Sequence, residues 1–337
     1  MKTIAFFNNK GGVGKTSLVY HLAWMFHDLG RKVLAADLDP QSNLTSAFLE
    51  DDVLESLWPE GDHPATIYGA VDPLVRSMGD IKDIEPVPLA SHLHLVAGDL
   101  SLSAFEDRLS TAWLHCLADN AATAHDGFRV VTAFHRVIMA AAQRTESDLV
   151  LIDVGPNIGA LNRAALVAAD FVVIPLAADL FSLQGLHNLG PTLHDWRLEW
   201  RTRTGRKVPP GLPVPDGRML PIGYVLLSPS VQGNRPVKSY MKWANRIPAV
   251  YANEMQVPSL AVSDVEQDPN LLVLLRHFKS LMPMSQDARK PMFHLTAADG
   301  AIGSHSAAVA DCRLQFSKLA SRIEAQIDTP GTDRRVG

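Results

Sequence analysis

Asn8-Asn9-Lys10-Gly11-Gly12-Val13-Gly14-Lys15-Thr16-Ser17 is the stretch of sequence that decides the fold. It follows a short apolar segment, residues 1–7, that reads as a buried β-strand, and it precedes apolar residues at helical spacing. In a strand, glycine loop and helix of this order, backbone N–H groups and the helix N-terminus point at phosphate oxygens. The sequence therefore predicts a site for a nucleoside triphosphate.

The side chains of this loop predict contacts to phosphate and to magnesium. Lys15 should reach the β- and γ-phosphates, and the Thr16 hydroxyl should ligate Mg²⁺. The usual pattern, G-x-x-x-x-G-K-[ST], has glycine where this chain has Asn9, and Lys10 is an additional lysine. From the loop alone, Lys10 is either one more exposed lysine or a cation that reaches a second copy of the chain. The predicted nucleotide-binding residues are Lys10, Gly11, Gly12, Val13, Gly14, Lys15, Thr16 and Ser17, joined by Gly155 and Pro156 from a later loop.

Two later segments each end in a carboxylate at the predicted ligand edge of the sheet. Residues 33–36 read as a buried strand followed by Asp37 and Asp39, and residues 149–152 read as a second one followed by Asp153. Open α/β sheets bind ligands beyond the carboxyl ends of their strands. Asp39 could hold Mg²⁺ or orient the attacking water, and Asp153 fits the Walker B carboxylate. We predict that the metal-site residues are Thr16, Asp39 and Asp153, and that the catalytic residues are Lys10, Lys15 and Asp39.

The order of these segments predicts an α/β fold, a doubly wound and mostly parallel sheet flanked by helices. A length of 337 residues with 47% hydrophobic content is compatible with one elaborated α/β unit. We predict a single P-loop ATPase domain over residues 1–327, with helical or loop insertions, and a flexible tail at 328–337. The insertions should lie near residues 51–84, 196–221 and 268–305.

Residues 10–17, 37–43, 148–156 and 171–186 together resemble the ParA/MinD family of deviant Walker A ATPases, on the ParA side. The resemblance implies ATP and Mg²⁺ as cofactors and an ATP-sandwich homodimer in which Lys10 touches the partner's phosphates. It further implies that Asp39 activates the hydrolytic water. ATP-bound dimers of this family bind DNA without sequence preference, and a ParB-like adaptor stimulates a slow hydrolysis. The implied function is the partitioning or positioning of a plasmid, a chromosome region or another cargo.

The distribution of charge predicts a DNA-binding zone although the net charge is −5. Between residues 196 and 246 there are ten Lys or Arg residues against two acids. A local basic zone of this density suits the phosphate backbone of nucleic acid. The candidate DNA contacts are Arg201, Arg203, Arg206, Lys207, Lys238, Lys242 and Arg246.

Two alternatives remain open at this point. A membrane-cycling protein of the MinD type would need a cationic amphipathic helix at the C-terminus, and residues 314–327 are amphipathic but not strongly cationic. A metabolic ligase or kinase would need an acceptor-binding motif, and none stands out. No apolar run approaches the ~18 residues of a membrane span, and no secretory signal is recognisable. With two isolated cysteines, the expected location is the cytoplasm, on the nucleoid and not on a membrane. Because the phosphate loop starts at residue 8, we also expect no preceding helix-turn-helix.

Overall fold

The computed structural model of the chain describes residues 1–206, 208–228, 238–258, 262, 264–278 and 280–328. Within these residues, eight strands form one sheet in the order β3-β4-β2-β5-β1-β6-β7-β8. Every neighbouring pair is parallel except β3 and β4, which pair antiparallel at one edge. The strands are β1 (Lys2–Phe6), β2 (Val33–Asp37), β3 (Val87–Ala90), β4 (Leu93–Val96), β5 (Leu149–Asp153), β6 (Phe171–Ala177), β7 (Leu220–Ser228) and β8 (Leu271–Arg276).

Helices connect the parallel strands and cover both faces of the sheet. In the part of the chain that the structure describes they are α1 (Lys15–Asp28), α2 (Asn43–Phe48), α3 (Asp51–Leu57), α4 (Ile67–Val75), α5 (Glu106–His115), α6 (Ala121–Val131), α7 (Ala133–Arg144), α8 (Ala160–Val167), α9 (Leu180–Arg206), α10 (Lys238–Ala244), α11 (Ile247–Met255), α12 (Met282–Ala288) and α13 (Ser304–Ile327). Short 3-10 helices lie at Leu100–Phe105, Val265–Gln267, Met292–His294 and Ala297–Asp299. The predicted doubly wound, mostly parallel α/β sheet is confirmed.

Side chains of the central strands alternate between the two faces of the sheet because successive Cβ atoms of a strand point to opposite sides. Ile4 and Phe6 pack with α1 and α13, whereas Ala5 packs on the opposite face, with α4 to α9. All three side chains are fully buried. Burial on both faces explains why these strands read as continuous apolar runs.

The helix α13 closes the face of the sheet that α1 also covers. Its apolar side is buried against β8 and α1, with Cys312, Phe316, Leu319, Ala320, Ile323 and Ile327 inside the core. Among the described residues, no helix combines the length and the apolar character needed to cross a bilayer.

The three ranges predicted as insertions differ in their relation to the sheet. Residues 51–84 contain α3 and α4, and residues 196–221 contain the C-terminal part of α9. Residues 268–305 contain α12 but also β8, which pairs with β7, so this last range is partly sheet. Beyond Asp328, the predicted tail lies outside the described residues.

Candidate functional site

The carboxyl ends of β2, β5, β1 and β6 lie side by side in the sheet, and the loops that follow them meet at one edge. In the strand register, Asp153 is the partner of Phe6 on one side and of Asp37 on the other. The loop after β1 therefore starts next to the two carboxylates that the sequence placed at strand ends. This is the edge at which open α/β sheets bind ligands.

The loop between β1 and α1 has the backbone of a phosphate cradle. Gly12 and Gly14 have φ values of 73° and 68°, a left-handed conformation that glycine adopts without the Cβ penalty. The loop is anchored at Asn8, whose side-chain amide donates to the Pro175 carbonyl at 2.6 Å and whose oxygen accepts from the Lys10 N–H at 2.9 Å. The loop passes directly into the N-terminus of α1, where a phosphate would meet unpaired N–H groups.

Lys15 begins α1 and its side chain turns back under the loop. The Nζ atom donates to the Asn8 carbonyl at 3.1 Å and to the Lys10 carbonyl at 3.4 Å. Burial lowers the pKa of Lys15, and the nearby Asp153 and Asp39 carboxylates act in the opposite direction. The ammonium group is thus held inside the cradle, where phosphate oxygens could replace the two carbonyl acceptors.

Asp37 and Asp153 form a buried pair of carboxylates at the ends of β2 and β5. Asp37 accepts hydrogen bonds of 2.8 Å from both the Thr45 N–H and the Thr45 hydroxyl, so it fixes the start of α2. Burial raises the pKa of Asp37 to about 7. Burial, reinforced by Asp37, raises the pKa of Asp153 well above the usual carboxyl range, while the Thr16 hydroxyl and Lys15 act against this shift.

Asp153 has two buried oxygens without a hydrogen-bond partner among the described residues. Buried carboxylates are ordinarily paired or bind a cation, because an unpaired buried charge is costly. With the Thr16 hydroxyl close by, the oxygen donors fit Mg²⁺, which takes few protein ligands and completes its shell with water and phosphate. Consistent with this, no group of three or more His, Cys, Asp or Glu side chains in the described part of the chain could hold a metal ion alone.

Asp39 lies in the loop between β2 and α2 and faces the loop that follows β5. Its Oδ1 atom accepts from the Gln41 N–H at 3.0 Å. A Cβ atom built on Gly155 would come within 3.2 Å of the same Oδ1 atom, so a larger residue there would crowd the Asp39 side chain. The Gly155 carbonyl is itself held by the Asn162 side-chain amide at 2.8 Å. The structure thus places Asp39 opposite the loop that carries Gly155 and Pro156.

Lys10 points away from its own cradle. Its Nζ atom pairs with Asp179 at 2.5 Å, just before α9, and lies 5.8 Å from the centre of the Phe181 ring. Burial acts to raise the pKa of Asp179, but the hydrogen bonds from Lys10 and Ser182 and the Lys10 charge together lower it. Lys10 therefore sits on the rim of the site, at the edge from which a second chain could approach.

A cavity of about 670 Å³ extends from the phosphate loop along α1. Its inner half is formed by the predicted residues, among them Gly11, Gly14, Lys15, Thr16, Ser17, Asp39 and Pro156. Its outer half is formed by Tyr20 and His21 of α1, Ser46 and Ala47 of α2, and Met282, Ser285, Gln286 and Arg289 at α12. The sequence interpretation missed the outer half. Tyr20 and His21 follow the loop at helical spacing and could have been suspected, whereas no local signal marks α12.

The predicted basic residues divide into buried and exposed ones. Arg203 is 4% exposed; it donates to the Trp113 carbonyl at 2.8 Å and stacks 4.1 Å from the Trp113 ring centre. Its prediction as a DNA contact was wrong, because these contacts make it part of the packing between α5 and α9. Arg206 donates to the Leu117 carbonyl at 2.9 Å but remains exposed.

The basic residues in α10 and directly after it form the other part of the predicted zone. Lys242 and Arg246 are exposed and lie 5.0 and 5.1 Å from the centre of the Trp243 ring. Arg201 is exposed on α9 and engaged in a contact of its own. Lys207 and the side chain of Lys238 lie outside the described residues. The geometry therefore leaves Lys242 and Arg246, with Trp243 between them, as the best-defined basic surface.

The chain is similar to a known family and to curated proteins. The family model AAA_31, an AAA domain, matches residues 1–203. Protein IncC of Escherichia coli is 33% identical over 202 residues, which cover 58% of this chain and 47% of IncC. The chain spans between about half and two thirds of the length of the first curated relatives that it matches.

Two solved structures resemble the whole fold. Protein DIP2308 of Corynebacterium diphtheriae has a TM-score of 0.68 and 23% identity, over 97% of this chain and 99% of that protein. A putative plasmid partition protein of Borrelia burgdorferi was solved with bound AMPPNP. It has a TM-score of 0.57 and 16% identity, over 96% of this chain and 98% of that protein. Because both identities are below 25%, the likeness shows a shared fold and nothing about function.

Proposed function

Because this chain belongs to the ParA-like branch of the deviant Walker A ATPases, within the AAA_31 family, we propose that it is a partitioning or positioning ATPase driven by an ATP-dependent dimer. In this proposal, the ATP-bound dimer binds DNA without sequence preference on the nucleoid in the cytoplasm. Mg²⁺-dependent hydrolysis, slow and stimulated by a ParB-like or other adaptor, returns the chain to its free form. The cargo is a plasmid, a chromosome region or another large assembly.

The observation that carries the proposal is that the Asp39 and Asp153 carboxylates both act on the Lys15 ammonium group, beside the cavity that Lys15 and Asp39 line. Phosphoryl transfer needs mainly positioning and charge neutralisation. Lys15 would neutralise the β- and γ-phosphates, and Thr16 and Asp153 would hold Mg²⁺, which stabilises charge that develops on the phosphate oxygens. Asp39 lies close to Gly155 at the site and would orient the attacking water with its carboxylate.

Exposed apolar side chains beside the site support the dimer. Phe181 is 72% exposed, Leu180 46% and Ile158 44%. Leu180 and Phe181 begin α9, which follows β6, and Ile158 lies in the loop after β5. Large exposed apolar residues grouped at one edge are typical of a contact surface. Lys10 lies against the Phe181 ring, so the same surface would bring Lys10 to the partner's phosphates once its pair with Asp179 opens.

The alternatives gain no comparable support. A MinD-like membrane anchor would need the apolar face of α13 free to enter the bilayer. That face is instead packed on the sheet. A metabolic ligase or kinase would need an acceptor site beside the γ-phosphate. A second cavity of about 540 Å³ does adjoin Gly12 and Val13, but its walls are mainly apolar, with Leu227, Tyr240 and Trp243 among them, and offer little to bind a polar acceptor.

DNA binding tests the proposal, since it combines the ATP site with the basic surface of α10. We expect the chain to sediment with non-specific duplex DNA in MgATP but not in MgADP. Lys15→Ala should abolish this binding through loss of ATP. Replacing both Lys242 and Arg246 by alanine should leave ATP binding intact, weaken DNA binding and reduce the slope of log K against log salt by about 2.

The matched control is Arg76→Ala, which removes an exposed arginine from α4. It should leave the DNA affinity and the salt slope unchanged. Sedimentation with anionic lipid vesicles but not with DNA would contradict the proposal and favour the membrane alternative. If the double variant binds DNA as tightly as the wild type does, the DNA-binding surface does not include Lys242 and Arg246.

A further inference from the structure

The outer half of the cavity has no counterpart in the phosphate-binding motif. Tyr20 and His21 lie just over one helical turn beyond Thr16, which is roughly 6–8 Å further along α1. Across the cavity from α1 stand Met282, Ser285 and Gln286 of α12. With the triphosphate at the loop, the group that extends in this direction is a nucleoside. Apolar walls with a few polar groups are what such a ligand requires.

Arg289 closes this half of the cavity and joins two of its walls. Its Nη1 atom donates to the carbonyls of Leu49 and Ser46, the latter at 3.3 Å. Its Nη2 atom donates to Asp51 at 2.6 Å, and its Nε atom pairs with Glu50 at 3.0 Å. The carbonyls belong to the end of α2 and the acids to the start of α3. The guanidinium thus caps α2 while its own backbone ends α12.

The backbone of Arg289 supports a specific role for its side chain. Its φ value is 46°, in the left-handed region, where the backbone of a non-glycine residue is strained. Glycine would end α12 there without that strain. An arginine in this conformation persists where its side-chain contacts outweigh the strain, and here these contacts are a charge-assisted set to a neighbouring wall of the cavity.

We propose that Arg289 is a positioning residue that shapes the nucleoside half of the ATP site by fixing α12 to the end of α2. This inference rests on the proposed function, since it takes the ligand to be ATP. The guanidinium already contacts the Ser46 and Leu49 carbonyls and the Glu50 and Asp51 carboxylates. It would therefore affect the ligand indirectly, by holding these segments in place around the cavity. Because α2 begins four residues after Asp39, the same contact ties the nucleoside half to the loop that carries Asp39.

The test compares ATP with inorganic tripolyphosphate, which carries the phosphates without the nucleoside. Calorimetric titration in Mg²⁺ should show ATP binding about tenfold weaker in Arg289→Ala, as expected for loss of charge-assisted contacts worth ~1.4 kcal/mol. Tripolyphosphate binding should stay within about twofold of the wild-type value. Arg289→Gly should weaken ATP binding equally while relieving the backbone strain, so misfolding cannot explain the result. Arg289→Lys keeps the charge but loses the planar guanidinium, so its ATP affinity should lie between those of the wild type and Arg289→Ala.

The control is Arg313→Ala, since Arg313 is a half-exposed arginine that pairs with Asp28 at 3.2 Å and does not line the cavity. It should bind both ligands as the wild type does. Equal losses of ATP and tripolyphosphate affinity in the Arg289 variants, or no loss of either, would overturn the inference. A wild-type chain that binds tripolyphosphate but not ATP would instead refute the proposed function.

Discussion

At the scale of one residue, Asp153 is a buried carboxylate whose energetic cost a bound cation would offset. Its two oxygens are fully buried and unpaired within the described chain, and burial raises its pKa well above the usual range. Nothing in the fold of β5 requires a carboxylate at that position. A buried carboxylate without a partner is destabilising, and such positions persist where function needs them.

The first prediction follows for Asp153→Asn. In the absence of nucleotide and Mg²⁺ the variant should be more stable than the wild type, by about 1–2 kcal/mol, because folding no longer buries a group that is ionised in the unfolded chain. Its Mg²⁺-dependent ATP hydrolysis should fall about a hundredfold or more, as when a metal-site carboxylate is lost. Denaturant unfolding and a phosphate-release assay measure the two effects.

Asp148→Asn is the matched control for this prediction. Asp148 lies just before the same strand and pairs with Arg31 at 3.1 Å on the surface. Surface pairs contribute ~0–1 kcal/mol, so this variant should be slightly less stable and hydrolyse ATP normally. A less stable Asp153→Asn with normal hydrolysis would show that the carboxylate is structural.

At the scale of elements, His21 joins the phosphate-loop helix to the C-terminal part of the chain. Its Nδ1–H donates to the Ser17 carbonyl at 2.6 Å, and its Nε2 atom accepts from the Met292 N–H at 3.1 Å. Its ring stacks on Phe316 of α13, with 5.0 Å between centres. Both ring nitrogens are used by the neutral imidazole, and burial lowers the pKa of His21 from 6.5 to about 4.

The lowered pKa of His21 therefore predicts that the free energy of unfolding depends on pH. The unfolded chain takes up a proton at His21 near pH 6.5, whereas the folded chain resists it down to about pH 4. As the pH falls through this window, the free energy of unfolding should decrease by up to ~3 kcal/mol on account of this residue. Urea unfolding at several pH values, compared between wild type and His21→Gln, isolates the contribution because all other groups are shared. Parallel curves for the two proteins would contradict it.

The elements also show what sequence reasoning can and cannot reach. The strands β1, β2 and β5 and the loop before α1 are encoded locally, by apolar runs, glycines and terminal carboxylates, and these were predicted. Arg289 meets Asp51 across 238 residues of sequence, and Arg203 meets Trp113 across 90. Contacts of this kind arise from tertiary packing alone. For this reason the outer half of the cavity was missed and Arg203 was assigned to the wrong surface.

On the scale of the whole molecule, the described surface concentrates its features at one edge of the sheet. The nucleotide cavity, the Lys10–Asp179 pair and the exposed Phe181 all lie beyond the carboxyl ends of the strands. In the proposed function, this arrangement would make ATP part of a contact surface, so that hydrolysis would end the association. The central claim is that ATP joins two copies of the chain through this edge.

The most direct test is the molar mass of Asp39→Ala in solution, measured by light scattering with excess MgATP. Loss of Asp39 should block hydrolysis and leave ATP bound, so we expect twice the chain mass of 36.7 kDa in MgATP and the single chain mass in MgADP. Adding Lys10→Ala to the same variant should keep ATP bound and return the mass to that of one chain. An Asp39→Ala protein that binds ATP but stays at 36.7 kDa would contradict the account.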